Sequence, residues 1–221
     1  MLNPSRPILY LITRGATDES TTTESAEFKQ ILLQVSAAVS AGIQYIQLRE
    51  KKLPARVLLE LAARAVNIAQ NTATRVLVND RADIAVGAGA NGVHLTTQSL
   101  ETAVVRQTFG DELLIGTSTH SLGEARMARN GGANFVVFGP VFPTLSKEKY
   151  GPPLGLAALS RVASELAPFP VFALGGISPV TAAECLSAGA SGIAGISLFS
   201  KPENLASIAT MIRVGEKGVT S

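Results

Sequence analysis

Short apolar, β-branched runs alternate with longer Ala- and Leu-rich stretches along the whole chain, and this alternation restricts the fold more than any other feature. Strands are predicted at Ile8–Ile12, Tyr45–Leu48, Val76–Val78, Gly92–Leu95, Leu114–Gly116, Phe135–Phe138, Val171–Leu174 and Gly192–Ile196. Each is apolar without a regular polar face, the pattern of a parallel strand covered on both sides. Helical spacing fills the intervals, as in Phe28, Ile31, Leu32, Val35 and Val39, or Leu58, Leu59, Ala62, Ala65, Val66 and Ala69. Strict β–α–β order demands parallel pairing, because each crossover returns the chain to the same end of the sheet.

A weak internal repeat narrows the choice. Ala41-Gly42-Ile43, Ala88-Gly89-Ala90, Gly131-Gly132-Ala133 and Ala188-Gly189-Ala190 each close a helical stretch just ahead of a strand, where a glycine can turn left-handed. Their even spread favours one closed barrel, an α/β (β/α)8 TIM barrel occupying residues 1–221 as a single domain. A doubly wound open sheet is the alternative. It calls for a glycine-rich dinucleotide loop after the first strand, and Thr13-Arg14-Gly15-Ala16-Thr17 is not one.

The chain's 221 residues, 46% of them hydrophobic, suffice for one core of that size. A net charge of +2 argues against a nucleic-acid partner. No apolar run is long enough to span a membrane. The first six residues do not read as a signal peptide, and the cytoplasm is the expected compartment. Cys185, the one cysteine, excludes an internal disulfide and reads as a buried structural thiol.

In such a barrel, chemistry belongs to the polar residues just after each strand. Alternation aims Gln47, Arg49 and Lys51 together into the mouth, a clamp for phosphate oxygens; a solvated charge cluster with a surface Lys–Glu pair is the plainer reading. Asn79 can donate to a phosphate or hold a ring. Asp80 can ligate Mg²⁺, or cap the helix starting near Arg81, and the cap is favoured. His94 reads as a hydrogen-bonded histidine of the core or mouth. His120 reads either as a helix-start residue or as a group that moves protons. Two connections stand out. Arg14 to Thr23 is polar and Thr-rich, expected to be mobile. Pro140 to Leu154 is long and proline-stiffened, and its Thr144, Ser146 and Lys147 suit an oxyanion. After the seventh and eighth strands, Gly175, Gly176, Ile196 and Ser197 form the expected phosphate site.

Taken in order, Gln47-Leu48-Arg49-Glu50-Lys51, Val78-Asn79-Asp80-Arg81, Gly92-Val93-His94-Leu95, Ser118-Thr119-His120-Ser121, Gly139-Pro140-Val141-Phe142-Pro143-Thr144 with Ser146-Lys147, and Gly175-Gly176-Ile177 resemble the thiamine phosphate synthase and TenI-like (thiazole tautomerase) superfamily. The resemblance implies partners that are phosphorylated pyrimidine and thiazole small molecules, with Mg²⁺ as cofactor. It implies no nucleic acid and no membrane, and admits a homodimer. Gln47, Arg49, Lys51, Asn79 and Lys147 would hold the pyrimidine and its diphosphate, and Asp80 the metal. Thr144, Ser146, Gly175, Gly176, Ile196 and Ser197 would hold the thiazole phosphate. Ser118, His120 and Lys147 are the catalytic candidates, with Ser118 near the reacting methylene. Two departures bear on this. Ser99 stands where synthases usually carry a second metal-binding carboxylate, and Arg14 where the family often has an acid. A synthase is therefore the leading expectation. A tautomerase using His120 is the alternative, followed by a non-catalytic protein that binds or senses thiamine precursors.

Overall fold

Ile8–Ile12 (β1), Tyr45–Leu48 (β2), Arg75–Asn79 (β3), Gly92–Leu95 (β4), Leu114–Thr119 (β5), Phe135–Phe138 (β6), Val171–Ala173 (β7) and Gly192–Gly195 (β8) pair in chain order, every pair parallel, and β8 closes onto β1. This computed structural model describes residues 6–144 and 152–215. The crossovers are the helices Ala26–Ser40 (α1), Ala55–Ala69 (α2), Ala82–Gly87 (α3), Thr102–Phe109 (α4), Leu122–Asn130 (α5), Gly155–Leu166 (α6) and Pro179–Ser187 (α7), and Leu205–Gly215 (α8) follows β8. Closure excludes the open doubly wound sheet. The glycines of the repeat behave as expected: Gly42, Gly89, Gly132 and Gly189 all have positive φ at the step from helix to strand.

Strand alternation sorts the apolar residues into two cores. Leu9, Leu11, Ile46, Leu48, Val76 and Val78 point outward onto helix faces such as Phe28, Ile31 and Val35 of α1. Ile8, Tyr10, Tyr45, Leu77, Phe135 and Phe172 point inward and fill the barrel. Phe135 stacks on Phe172 at 4.7 Å and on Tyr45 at 5.3 Å, while Tyr10 meets Tyr45 edge-on at 5.8 Å. Such ring pairs contribute about 1 kcal/mol each beyond their burial. Inward-facing glycines leave room for the rings: a methyl group on Gly116 would stand 2.6 Å from Phe135 Cε2. A centre packed this way is a core and not a pore, so a ligand can sit only at one of its ends.

The two ends differ. At the N-terminal end of the strands, Arg106 stitches turns together by donating to the carbonyls of Gly110, Leu113 and Gly132 and to Asn134 Oδ1. The C-terminal end carries the polar groups described below. β5 runs to Thr119, beyond the predicted Gly116, because Thr117 and Ser118 keep register with Val136 and Val137 of β6. Cys185 is buried, and burial with the neighbouring Glu184 charge pushes its thiol up to about 12, as a structural thiol requires. Among the described residues no helix is long and apolar enough to cross a membrane.

Candidate active site

Gln47, Asn79 and His94 are inward-facing residues at the mouth ends of adjacent strands, and two hydrogen-bonded chains start from them. Gln47 Nε2 donates to Asn79 Oδ1 at 2.8 Å, and Asn79 Nδ2 donates to Asp80 Oδ2 at 2.6 Å. The other carboxylate oxygen of Asp80 accepts from Thr96 Oγ1 at 3.3 Å and, closely, from Ser99 Oγ. The expected helix cap is thereby overturned. Asp80 lies at φ +61°, which turns its carboxylate across the mouth, and the N-cap position of α3 is Arg81, with no side-chain cap. The acid near that helix start is Asp83, held in its charged form chiefly by the Arg81 guanidinium 2.6 Å away. Gln47 Oε1 is buried and, among the described residues, has no hydrogen-bond partner.

Glu50 is the residue that the sequence reading undervalued. Its carboxylate is buried, which excludes the surface Lys–Glu pair. Thr13 Oγ1 at 2.6 Å, Thr17 Oγ1 at 2.7 Å and the backbone N–H groups of Gly15 and Thr17 all donate to it. The start of the 14–23 loop, expected to be loose, is thus latched to the end of β2. Thr13 Oγ1 also accepts from the Arg49 N–H at 2.8 Å, and Gly15 packs against the Arg49 guanidinium. Arg49 is therefore held at the rim by its backbone. Lys51 lies beyond the strand on an exposed turn, past the reach of the alternation that grouped it with Gln47. Thr13 and Thr17, hydroxyls flanking a strand end, were the available signal for this latch.

The second chain runs from the core outward. Tyr10 Oη lies 3.1 Å from His94 Nδ1, and His94 Nε2 lies 2.9 Å from Ser118 Oγ. Burial brings the His94 imidazole down to about 4, against the opposing pull of the Asp80 charge, so it is neutral near pH 7. His120 sits one residue before the Ser121 N-cap of α5, and Glu124 reaches back to its N–H at 2.7 Å and to its Nδ1 at 3.3 Å. His120 thus stands at the helix start, with Glu124 closing on its N–H and ring and not on the N–H of the Ser121 cap.

From β6 to β8 the described part of the mouth is shaped chiefly by backbone. Gly175 and Gly176 both have positive φ, at 99° and 65°. A methyl group on Gly176 would stand 2.8 Å from Phe142 Cβ and closer still to the Pro143 carbonyl; on Gly175 it would meet Pro140 Cα at 2.6 Å. The Val141 and Phe142 N–H groups donate to the carbonyls of Leu174 and Gly175, zipping the two loops together. Ser178 then caps α7 in a reciprocal box with Thr181, with Pro179 in its first turn. Ile196 is half-buried, and Ser197 is exposed with its carbonyl accepting from Ser200 Oγ at 2.9 Å. Thr144 is half-buried at the end of the first described stretch. Ser146 and Lys147 lie outside the described residues.

As to metal, no group of three or more His, Cys, Asp or Glu side chains is poised to hold an ion among the described residues. Asp80 with the rotatable hydroxyls of Thr96 and Ser99 nevertheless fits Mg²⁺. That ion commonly takes one carboxylate and fills its remaining positions with water and substrate phosphate oxygens.

Comparisons with known proteins agree with this geometry. A family profile described as Thiamine monophosphate synthase matches residues 9–199. A thiamine-phosphate synthase of Chlorobium luteolum is 40% identical over 204 residues, covering 92% of this chain and 90% of that one. One of Chlorobium phaeovibrioides is 37% identical over 220 residues, covering 99% of each. Among solved structures, thiamine phosphate pyrophosphorylase from Pyrococcus furiosus superposes with a TM-score of 0.76 at 29% identity, covering 95% of this chain and 98% of that one.

Proposed function

The chain belongs to the thiamine monophosphate synthase family, and from that premise we propose that it is a transferase joining an aminopyrimidine diphosphate to a thiazole phosphate to give thiamine phosphate and pyrophosphate. The C–O bond to the diphosphate breaks with its electron pair leaving on oxygen. The thiazole nitrogen lone pair then captures the resonance-stabilised methylene cation. No proton need move in either step, so catalysis is positioning and charge stabilisation.

Each half of the mouth then has a task. Gln47 and Asn79 hold the pyrimidine, and Arg49 and Lys51, together with Lys147, meet the diphosphate. Asp80, helped by Thr96 and Ser99, would hold Mg²⁺, which when bound neutralises charge on the leaving pyrophosphate. Gly175 and Gly176, with Thr144, Ser146, Ile196 and Ser197, receive the thiazole phosphate, and Ser118 faces the reacting centre. His120, at the start of α5, is the proton-moving candidate of the alternative thiazole isomerisation. We place the reaction in the cytoplasm, where phosphorylated precursors are retained.

The observation that carries this reading is Gln47 Oε1, buried without a hydrogen-bond partner among the described residues. Leaving a buried acceptor unmatched costs about 1–3 kcal/mol, and the exocyclic amine of an aminopyrimidine is the donor that removes this cost. The test is product formation from both substrates with Mg²⁺, in the native protein and in Gln47→Leu. The substitution should raise KM for the pyrimidine diphosphate about tenfold, the equivalent of 1.4 kcal/mol, and leave that for the thiazole phosphate unchanged. Equal changes in both would remove Gln47 from the pyrimidine site. Absence of thiamine phosphate alongside isomerisation of a thiazole carboxylate phosphate would replace the synthase with the tautomerase.

A further inference from the structure

Tyr10, His94 and Ser118 come from β1, β4 and β5, and they form a single file from the packed centre of the barrel to its mouth. Tyr10 is fully buried among Tyr45, Phe135 and Phe172, whose ring centroids lie 5.6 to 6.3 Å away. Among the described residues, His94 Nδ1 is the one acceptor that its hydroxyl reaches. The imidazole is wedged as well: a methyl group on Gly116 would stand 2.9 Å from His94 Nδ1, so glycine on the neighbouring strand leaves room for the ring.

Two proton orders satisfy these distances, and they differ in what happens at each end. If Nδ1 carries the hydrogen, it donates to Tyr10, and the Tyr10 O–H is left pointing into an aromatic box without an acceptor. Ser118 then gives its hydrogen to Nε2 and offers the mouth only lone pairs. If Nε2 carries the hydrogen, Tyr10 donates to Nδ1, Nε2 donates to Ser118, and every buried hydrogen in the file has an acceptor. Burial favours the second order, because an unmatched buried hydroxyl is costly and linked donors polarise one another. We propose that Tyr10 and His94 are positioning residues that lock the Ser118 hydroxyl as a donor into the mouth, so that the ligand atom it meets is an acceptor, an anionic oxygen or a ring nitrogen. This proposal rests on the reading of the mouth as the transfer site only for where Ser118 points its effect.

The protein has two histidines, so ¹⁵N-histidine labelling resolves His94 directly. Long-range ¹H–¹⁵N spectra at neutral pH should show His94 as the Nε2–H tautomer; an Nδ1–H tautomer or an imidazolium overturns the proposal. Kinetics supplies the second arm. Tyr10→Phe should lower kcat about tenfold with both KM values nearly unchanged, and the same substitution placed on Ser118→Ala should cost nothing further. Equal losses in the two backgrounds would make Tyr10 merely a packing residue and overturn its role. Should native protein yield no thiamine phosphate at all, the transfer reading falls, while the spectra still decide the proton order.

Discussion

Between β2 and β5 the barrel mouth is built from side chains that hold one another, whereas between β6 and β8 its described part is shaped chiefly by backbone brought close by glycine. In the first half Gln47, Asn79, Asp80, Thr96 and Ser99 form one connected set, and Glu50 fastens the rim beside it. In the second half Gly175 and Gly176 lie against the Pro140–Pro143 segment so closely that no side chain fits. The difference separates two ways of making a site. A side chain at the rim, such as Asp80, can be exchanged with little change to the barrel's packing, so its chemistry is adjustable. A backbone site is inseparable from the fold, so changing it must cost stability and binding together.

The largest expected effect tests the first half. Asp80→Asn keeps a residue type that tolerates positive φ but removes the charge. With Mg²⁺ present, kcat/KM should fall about 10³-fold, or about 4 kcal/mol, and Mn²⁺ binding followed by electron paramagnetic resonance should be lost, while the melting temperature stays within a few degrees. A large fall in melting temperature would show that the side-chain half is also structural, and the contrast would collapse. Gly176→Ala tests the second half. The strained φ of 65° and the clash with Phe142 Cβ should destabilise the barrel by about 3 kcal/mol in urea titration and raise KM for the thiazole phosphate as well. Unchanged stability there would mean that the loop yields, and that its closeness is not a requirement.

Stability against pH sharpens the contrast, because the side-chain half keeps a buried neutral histidine. The unfolded chain takes up a proton at His94 near pH 6.5, and the folded protein only near pH 4. Over that interval the unfolded state holds more protons, so stability is full above pH 6.5 and is lost as pH falls through the window. The loss due to His94 is about 3 kcal/mol. Urea titrations at pH 7 and pH 4 should show a difference larger by that amount in the native protein than in His94→Gln; equal differences would exclude His94 as the source. A smaller change follows from Glu50→Gln. It keeps the shape of the latch but loses the charge behind hydrogen bonds from two hydroxyls and two backbone N–H groups, and should cost about 2 kcal/mol. KM for the pyrimidine diphosphate should rise with it, since Arg49 is anchored through Thr13. Destabilisation without a change in KM would separate the latch from the diphosphate clamp.

How far the sequence foretold this depended on the kind of information needed. β1, β2, β4 and β6 fall on the predicted residues because each is a buried apolar run with a glycine or polar boundary. β5 was cut short because Thr117, Ser118 and Thr119 do not look like strand interior, and only their pairing with β6 makes them so. The glycine turn was legible, since glycines after the seventh strand of such a barrel have few other uses. The partnerships were not. Thr96 and Ser99 lie 16 and 19 residues from Asp80, and the positive φ that swings the carboxylate towards them has no signature in the string Asn-Asp-Arg. Glu50, set between two cations, looked like a solvated charge. Its burial depends on hydroxyls 33 and 37 residues earlier.

The smallest expected effect locates the edge of the backbone half. Ser178 accepts from the Thr181 N–H at 3.2 Å, and Thr181 Oγ1 accepts in return from the Ser178 N–H at 2.9 Å, two residues after the glycine turn. Ser178→Ala should cost about 1 kcal/mol, the usual value of a helix cap, and lower the melting temperature by about 2–4 °C. If phosphate is held by the turn itself, KM for the thiazole phosphate should barely move, in contrast to Gly176→Ala. If the substitution instead weakens the thiazole phosphate as strongly as Gly176→Ala does, the anion is held by the end of α7, and the backbone half extends beyond the glycines into the helix. Measuring both variants under one set of conditions distinguishes a turn that binds from a helix end that binds.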